Sequence, residues 1–357
     1  MASTAVQASQ VCTFRQDGTS PRWLGQLGHV NALKYSFVLP GGPDQMSCTL
    51  GQPPSFRPDA LNPGRYVKIF RGGSWVWQGI LDEPSSDASG WSITAHGAGT
   101  YGNNYLAGWN TWNLNDPVNL AIAQGLDWVN PGITSGWLGI QPDMWSEYVS
   151  DWLTAICLQA GLVWYVGRGN VLATGLPPVT VNRLITCTEA VSRTVIGDVN
   201  VIRATYVASD DGNGNAVNAY VVVSNAADIA AHGTLEEPVD LTPAGVMTPA
   251  AATGYAQAML NYYIGAAYAG PFTVRYGQLL TTGGSPIDLG TDQAATVARL
   301  IVTDAGYGGE VTPGPVTFVV GAYEYDDDAQ VATITPWQSY RNDFSSLLTV
   351  AIPPLRQ

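Results

Sequence analysis

Charged side chains are scarce in this sequence, since Asp, Glu, Lys and Arg make up 12% of its 357 residues, against 46% hydrophobic residues. Disordered chains show the opposite balance, so the composition predicts a folded protein. The 40 glycines and 23 prolines are too many for a helical bundle. At about 100–200 residues per domain, the length predicts two or three domains whose cores need no disulfide bonds.

Cysteine and histidine are also few, and their spacing excludes the common metal sites. The four cysteines form no CxxC pair, and no two of the three histidines lie within five residues of each other. Zinc ribbons and HExxH sites are therefore absent, as are P-loops, dinucleotide-binding glycine turns and GxSxG motifs. We predict no enzyme activity, no catalytic residue, no metal and no cofactor. The residues concerned are Cys12, Cys48, Cys157, Cys187, His29, His96 and His232.

Neighbouring carboxylates are the remaining candidates for chemistry, because a glycosidase needs only two suitably placed acids. The adjacent acids are Asp82 with Glu83, Glu236 with Glu237, and the run 326–328. Each group falls in a predicted turn or loop, where solvated acids are usual. We interpret them as turn acids, and a glycan hydrolase stays open as a third alternative.

Long apolar runs are missing as well. No stretch of 18 apolar residues occurs, and residues 1–14 have neither a basic start nor an apolar segment. The sequence therefore predicts a protein made in the cytoplasm without a signal peptide and without membrane insertion of its own. For a β protein rich in glycine and tryptophan, the lack of a signal peptide is typical of a virion component that is released by lysis.

Negative charge is abundant but unevenly distributed. The net charge is −13, and the estimated pI is about 4.4. Residues 1–105 hold seven Lys or Arg and six Asp or Glu, whereas residues 106–357 hold eight and twenty-two. The excess of −14 in the second segment argues against a general phosphate-binding surface. The expected partners are proteins or neutral sugars.

Short segments of alternating polar and apolar residues predict strands at both ends of the chain. Residues 66–70, 75–77 and 90–95 form a predicted antiparallel meander, and 201–208 with 216–223 form a predicted hairpin. The pattern indicates a mainly β fold.

Helical periodicity appears in two middle regions. Apolar residues at i, i+3, i+4 and i+7 from Met144 to Ile156 predict a helix that Asp143 caps and Gly161 follows. A shorter helix is predicted to begin at Asp116, which is followed by Pro117. A third helix is predicted from 248–249 to about residue 264.

A weak internal repeat links the two β regions. Gly79 in the segment 76–82 is followed fourteen residues later by Ile93, and Gly321 in 319–324 is followed thirteen residues later by Ile334. Upstream of each segment lies a predicted edge-like strand, at 67–70 and at 297–302. If the repeat is real, the chain contains two related antiparallel barrels. A chance match between alternating strands is the alternative.

The residues of the first copy carry a resemblance to a known family. Residues 63–70 (PGRYVKIF), 77–80 (WQGI) and 91–97 (WSITAHG) resemble the first barrel of tail-tip, or baseplate, hub proteins of tailed bacteriophages, particularly siphophages of actinobacterial hosts. The later order of strands and helix resembles the same family. The motifs are structural patterns and contain no chemical signature.

The resemblance implies two tail-tube-like barrels with two helix-containing α+β inserts. The division is a first barrel at 1–105, a Trp-rich insert at 106–190, a second barrel at 191–232 and 290–357, and a second insert at 233–289. Three copies would form a ring of six barrels, which adapts a sixfold tail tube to a threefold tip. Such a homotrimer contacts distal tail or tube proteins above and tip, fibre or lysin proteins below. Larger relatives continue into fibre, needle or peptidoglycan-cleaving domains, so we expect those functions on another polypeptide.

A channel for DNA and the tape-measure protein is a further implication of the resemblance. Because neutralised phosphates add affinity that would stall transit, we predict an acidic or uncharged lining. Asp326, Asp327 and Asp328 are the candidate lining residues, and solvated turn acids are the alternative.

Tryptophans are concentrated in the first insert, with seven of the twelve between residues 109 and 164. Trp152 shares a helical face with Leu153, which predicts a position in the core or at a subunit interface. Trp109 and Trp112 are the candidates for exposed interface or sugar-stacking positions. They keep open the main alternative function, a carbohydrate-binding or cell-surface adhesin.

Overall fold

The computed structural model describes most of the chain, and strands dominate the part that it describes. The four α-helices of the described part lie between the two β-rich ends. The described residues are 8–16, 18–51, 58–88, 90–107, 116–132, 148–159, 162–187, 199–210, 215–242, 246–265, 271–302 and 316–337.

The N-terminal region folds into strands that pair mostly with antiparallel neighbours. In β5 the side chains of Val67 and Ile69 are buried, whereas those of Tyr66, Lys68 and Phe70 are half-buried on the other face. This alternation is what the sequence predicts for a sheet with one covered face. The strands are β1 Gln10–Phe14, β2 Arg22–Trp23, β3 His29–Val38, β4 Gly42–Gly51, β5 Tyr66–Arg71, β6 Ser74–Leu81, β7 Ser85–Asp87 and β8 Gly90–Gly97.

Four of these strands, β4, β5, β6 and β8, have a simple order, and we call them the N-terminal strand set. The first strand, β4, pairs with the fourth, β8; β8 pairs with the third, β6; and β6 pairs with the second, β5. Every pair is antiparallel. The strand β1 adds to the outside of β5, and β3 adds to the outside of β4.

The C-terminal region repeats that order in β15 Phe272–Arg275, β17 Val297–Val302, β18 Val316–Asp326 and β19 Val331–Pro336, which we call the C-terminal strand set. Here too the first strand pairs with the fourth, the fourth with the third and the third with the second, all antiparallel. Outside β17 lies β11 Arg183–Cys187, which is parallel to it, and beyond that β16 Leu279–Leu280. The predicted edge-like strands β5 and β17 are therefore internal.

The two strand sets form one continuous sheet, and this corrects the predicted barrels. Its order is β16-β11-β17-β18-β3-β4-β8-β6-β5-β1-β2, and no pairing among the described strands closes it into a barrel. The reason is β3, which pairs with β4 on one edge and with the second half of β18 on the other. The largest hydrophobic core is shared by both sets.

The first insert has its own core, which contains Trp128, Trp152 and Trp164. It consists of α1 Asp116–Ala123, α2 Val149–Gln159 and the hairpin of β9 Val163–Val166 with β10 Leu172–Gly175. In the described residues α1 runs from Asp116, near the predicted start, and residues 108–115 before it lie outside the described residues. The predicted start of α2 is wrong, because Tyr148 forms a β-bridge with Leu106 and the helix begins one residue later.

A three-stranded sheet with two helices forms the second insert. Its elements are β12 Val201–Asp210, β13 Ala216–Ser224, α3 Ala226–His232, β14 Glu236–Asp240 and α4 Pro249–Gly265. The inner face of β12 and β13 packs against α4, where Tyr255 and Met259 are buried. The third helix was therefore predicted well, and α3 was missed.

Two predicted domain boundaries therefore differ from those in the structure. The hairpin at 201–224, which we assigned to the second barrel, belongs to the three-stranded sheet because α4 covers its apolar face. Conversely, β15 and β16 fall in the range predicted for the second insert, yet they pair with β19 and β11 in the main sheet.

Candidate functional site: the junction between the strand sets

The junction is organised around a bend in β18 at Gly321. Residues before the bend pair with β17, and residues after it pair with β3, where Tyr325 lies opposite Tyr35. The Leu39 N–H donates to the Gly321 carbonyl at 2.7 Å. A Cβ atom on Gly321 would lie 2.3 Å from the Cα of Trp337, so this crossing requires glycine.

Gly79, the matching residue of the first copy, occupies a similar position. A Cβ atom there would lie 2.3 Å from the carbonyl oxygen of His96. Gly79 lies opposite Gly97 where β6 meets β8, as Gly321 lies where β18 meets the end of β19. In both copies the glycine therefore allows the third strand to approach the fourth.

A buried arginine joins the two strand sets. The side chain of Arg71, at the end of β5, is fully buried. Its Nε atom lies 2.6 Å from Asp288, its Nη1 atom lies 2.6 Å from Asp327, and the same Nη1 donates to Ser9 at 2.9 Å. The guanidinium also lies 5.1 Å from the ring centre of Tyr325. We call these five side chains the Arg71 cluster.

Electrostatics keep Arg71 charged in this environment. Burial by itself lowers the pKa of Arg71, but the hydrogen bond to Asp288 and the electrostatic effects of Tyr325, Asp288 and Tyr35 together outweigh burial, so the pKa is raised. A charge buried in this way is stable only while its partners are in place. The cluster therefore fixes the relative position of β5, the 288–291 turn and the turn between β18 and β19.

Two buried tyrosines bind the backbone of the 288–291 turn through their hydroxyl groups. The hydroxyl of Tyr35 donates to the Gly290 carbonyl at 2.6 Å, and that of Tyr323 donates to the Leu289 carbonyl at 2.7 Å. Burial raises the pKa of both phenols well above the ordinary value. A Cβ atom on Gly290 would lie 2.7 Å from the Arg71 guanidinium, so a larger residue would displace the arginine.

The structure places the predicted acids at the end of β18 and in the turn that follows it, where each contacts the N-terminal half of the chain. Asp326 forms an ion pair with Lys34 at 3.1 Å, and Asp327 belongs to the Arg71 cluster. Asp328 accepts a hydrogen bond from the Ala32 N–H at 2.7 Å. Asp327 and Asp328 lie in the turn and Asp326 is the last residue of β18, and Asp327 departs from a solvated turn acid because it binds the buried Arg71. No sequence pattern predicts these partners, and a channel-lining role for the acids stays a prediction.

The other predicted site residues are dispersed. Trp109 and Trp112 lie outside the described residues, whereas Trp152 is 7% exposed and is part of the first insert's core. His96 lies 3.3 Å from Asp82 on the surface. In the part of the chain that the structure describes, no three His, Cys, Asp or Glu side chains are grouped to hold a metal ion.

Solved structures that are similar to this chain over nearly its whole length include three tail proteins. The 43 kDa tail protein of prophage MuSo2 from Shewanella oneidensis has a TM-score of 0.62 at 14% identity, with 94% of this chain and 100% of that chain covered. A tail protein from Neisseria meningitidis MC58 has a TM-score of 0.62 at 15% identity, with 93% and 98% covered. Prophage tail protein gp18 from Listeria monocytogenes EGD-e has a TM-score of 0.59 at 10% identity, with 96% and 97% covered.

These similarities define the class of fold. The chain has the mainly β fold of phage tail proteins, from one end of those proteins to the other. No family model and no curated protein matches the sequence. Among the described helices, none has the length and apolarity needed to cross a bilayer.

Proposed function

We propose that the protein is the structural hub of a phage tail tip, located in the virion. The observation that carries this proposal is the repeated strand order, in which two sets of four antiparallel strands occur in one chain. A chain with two equivalent units can present two equivalent positions to a neighbouring ring. The shared fold with prophage tail proteins supports the same reading.

The proposed assembly is a homotrimeric ring. Three copies with two strand sets each offer six similar positions towards the tail tube and three towards the tip. Closed rings also pair or cover strand edges that would otherwise be exposed. The partners would be tube or distal tail proteins above, tip, fibre or lysin proteins below, and DNA and the tape-measure protein in transit.

The Arg71 cluster suits such a scaffold role. A hub must hold its two tube-contacting units at a fixed angle while DNA and protein pass, and a buried ion-pair network between the strand sets resists their separation. We further propose that the protein has a structural role and is not an enzyme.

Electron microscopy of the purified assembly distinguishes this hub from an adhesin. The proposal expects rings with threefold symmetry and a central hole. Monomers, or clusters without a hole, would contradict it and would favour the carbohydrate-binding alternative.

The proposed lining of the hole can be tested separately. We expect an uncharged or acidic inner wall, with Asp326, Asp327 and Asp328 as candidates, and therefore weak binding of duplex DNA. Tight DNA binding that falls steeply with salt would contradict this lining.

A further inference from the structure

A cavity of about 510 Å³ lies between the start of β1 and the start of β3. It forms because the strands that flank this point pair only farther along. β2 pairs with β1 at Cys12 and Thr13, and β18 pairs with β3 from Lys34 to Val38. Cavities of about 300–1,000 Å³ are the usual size of sites for small molecules. The residues that line this cavity include Ser9, Gln10, Trp23, Gln26 and His29.

The polar side chains at the cavity carry groups that both donate and accept hydrogen bonds. Gln10 and Gln26 supply amides, and His29 supplies an imidazole ring. In the described part of the chain, none of these three side chains forms a hydrogen bond or an ion pair, so all three are available to a ligand. No described residue that lines the cavity is Asp, Glu, Lys or Arg. The cavity therefore suits a ligand that is polar and uncharged.

Trp23 adds an aromatic surface to the same cavity. Its side chain is half-buried, and the centre of its ring lies 5.1 Å from that of Phe70, with the two rings tilted by 59°. Phe70 belongs to β5, whose other face is buried in the largest core through Val67 and Ile69. This packing holds the indole in place. The face of an indole ring is electron-rich and attracts C–H groups, so a fixed indole can stack on the apolar face of a sugar ring.

The Arg71 cluster fixes one wall of the cavity. The hydroxyl of Ser9 donates to Asp327 at 2.8 Å and accepts a hydrogen bond from Arg71 at 2.9 Å. Two residues farther along, Val11 also lines the cavity and is part of the largest core. A wall that is already ordered loses little conformational entropy when a ligand binds.

We propose that the cavity between β1 and β3 binds a neutral saccharide. Sugar hydroxyl groups donate and accept hydrogen bonds, as the amides of Gln10 and Gln26 do, and the C–H face of a sugar ring matches the indole of Trp23. Phosphates and acidic sugars fit less well, because proteins recognise such anions mainly with Arg and Lys. Such a site goes beyond the hub role, because it gives the protein a direct contact with a glycan. It does not depend on the number of copies in the ring.

Binding of simple sugars to the purified full chain tests this site. The neutral probes are the methyl glycosides of glucose, galactose, mannose and N-acetylglucosamine, and glucuronic acid is the charged control. Saturation-transfer NMR detects binding, and calorimetric titration measures the affinity. We expect at least one neutral glycoside to bind, at least about tenfold more tightly than glucuronic acid.

Two tryptophan variants locate the binding on the protein. Trp23→Ala removes the stacking surface and should weaken binding of that glycoside at least about tenfold. Trp75→Ala is the matched control, because Trp75 is also half-buried and contacts Lys68, but is not among the residues that line the cavity. It should bind as the natural chain does. If Trp23→Ala does not fold, Gln26→Ala replaces it, and the loss of one hydrogen bond should weaken binding at least about threefold.

Four results would overturn the proposal. The first is that no neutral glycoside binds, and the second is that glucuronic acid binds as tightly as the best of them. The third is that Trp23→Ala, or Gln26→Ala in its place, binds as the natural chain does. The fourth is that Trp75→Ala weakens binding as much as the cavity variant. Ring formation is measured independently, so a failure here leaves the hub proposal standing.

Discussion

Arg71 and Asp327 are 256 positions apart in the sequence, and their side chains meet at 2.6 Å. The arginine ends a strand of the first set, and the aspartate begins the turn between the last two strands of the second set. This pair is the centre of the junction that holds the two sets at a fixed angle. The distance along the chain means that it forms only when both ends have folded.

Removing the arginine should destabilise the whole junction. Arg71→Met would leave Asp288 and Asp327 without their buried counter-charge, which costs about 3–5 kcal/mol of unfolding free energy. Urea denaturation measures the change. Lys34→Met is the matched control, because Lys34 binds Asp326, next to Asp327, but is half exposed, and it should cost less than about 1 kcal/mol. Equal effects of the two variants would contradict the role of Arg71.

The two glycines of the repeat should be intolerant of a side chain. Gly321→Ala places a methyl group against the Trp337 backbone, and Gly79→Ala places one against the His96 carbonyl. Each should cost about 1–3 kcal/mol through overpacking. Gly175→Ala is the control, because no atom lies within 4 Å of its Cβ position. The measurement is the melting temperature of each variant. If Gly175→Ala lowered it as much as Gly321→Ala and Gly79→Ala do, the close approach at the two glycines would be disproved.

The tryptophan core of the first insert should be essential for its stability. Trp152→Ala removes a buried side chain and should cost about 3–5 kcal/mol. Tyr148 lies just before the same helix and is 45% exposed. Tyr148→Ala is therefore the control, and it should lower the stability much less. An unchanged melting temperature for Trp152→Ala would show an exposed aromatic face, and would favour sugar binding.

The Asp326 carboxylate should make the stability of the folded protein depend on pH. Burial tends to raise the pKa of Asp326, but the Ala329 N–H and Lys34 outweigh it and hold the pKa below the ordinary value of 3.8. A lowered pKa stabilises the fold above the unfolded value, and that contribution is lost as the pH falls through the folded value. Asp326→Asn should therefore lower the free energy of unfolding by less than about 1 kcal/mol at pH 6, and by almost nothing at about pH 2. A loss of equal size at both pH values would contradict this ion pair.

The sequence predicts local structure better than it predicts the junction. Alternation locates β5, β6, β8 and the 201–224 hairpin, and the Asp116–Pro117 pair marks the start of α1, because these signals depend on neighbouring residues. They cannot show that β3 pairs with β18, which joins the two sets into one sheet. They also cannot show which apolar face covers a hairpin, so the 201–224 hairpin was assigned to the wrong unit.

The candidate site was only partly predictable for the same reason. The run of three aspartates signals a turn, but it does not show the partners of these acids. The partners are far away in the sequence: Arg71 is 256 positions from Asp327, and Ala32 is 296 positions from Asp328. Arg71 itself ends an ordinary strand and has no motif around it. Its one sequence signal is its position at the end of a predicted strand, which many surface arginines share.

In the proposed assembly, each chain supplies two equivalent units to a threefold ring. The most direct measurement is the mass of the assembled ring by native mass spectrometry, in the purified protein or in a complex released from tail tips. We expect a mass that corresponds to three copies of the 37.8 kDa chain. A ring of six or twelve copies, or a chain that stays monomeric within the tip, would contradict it.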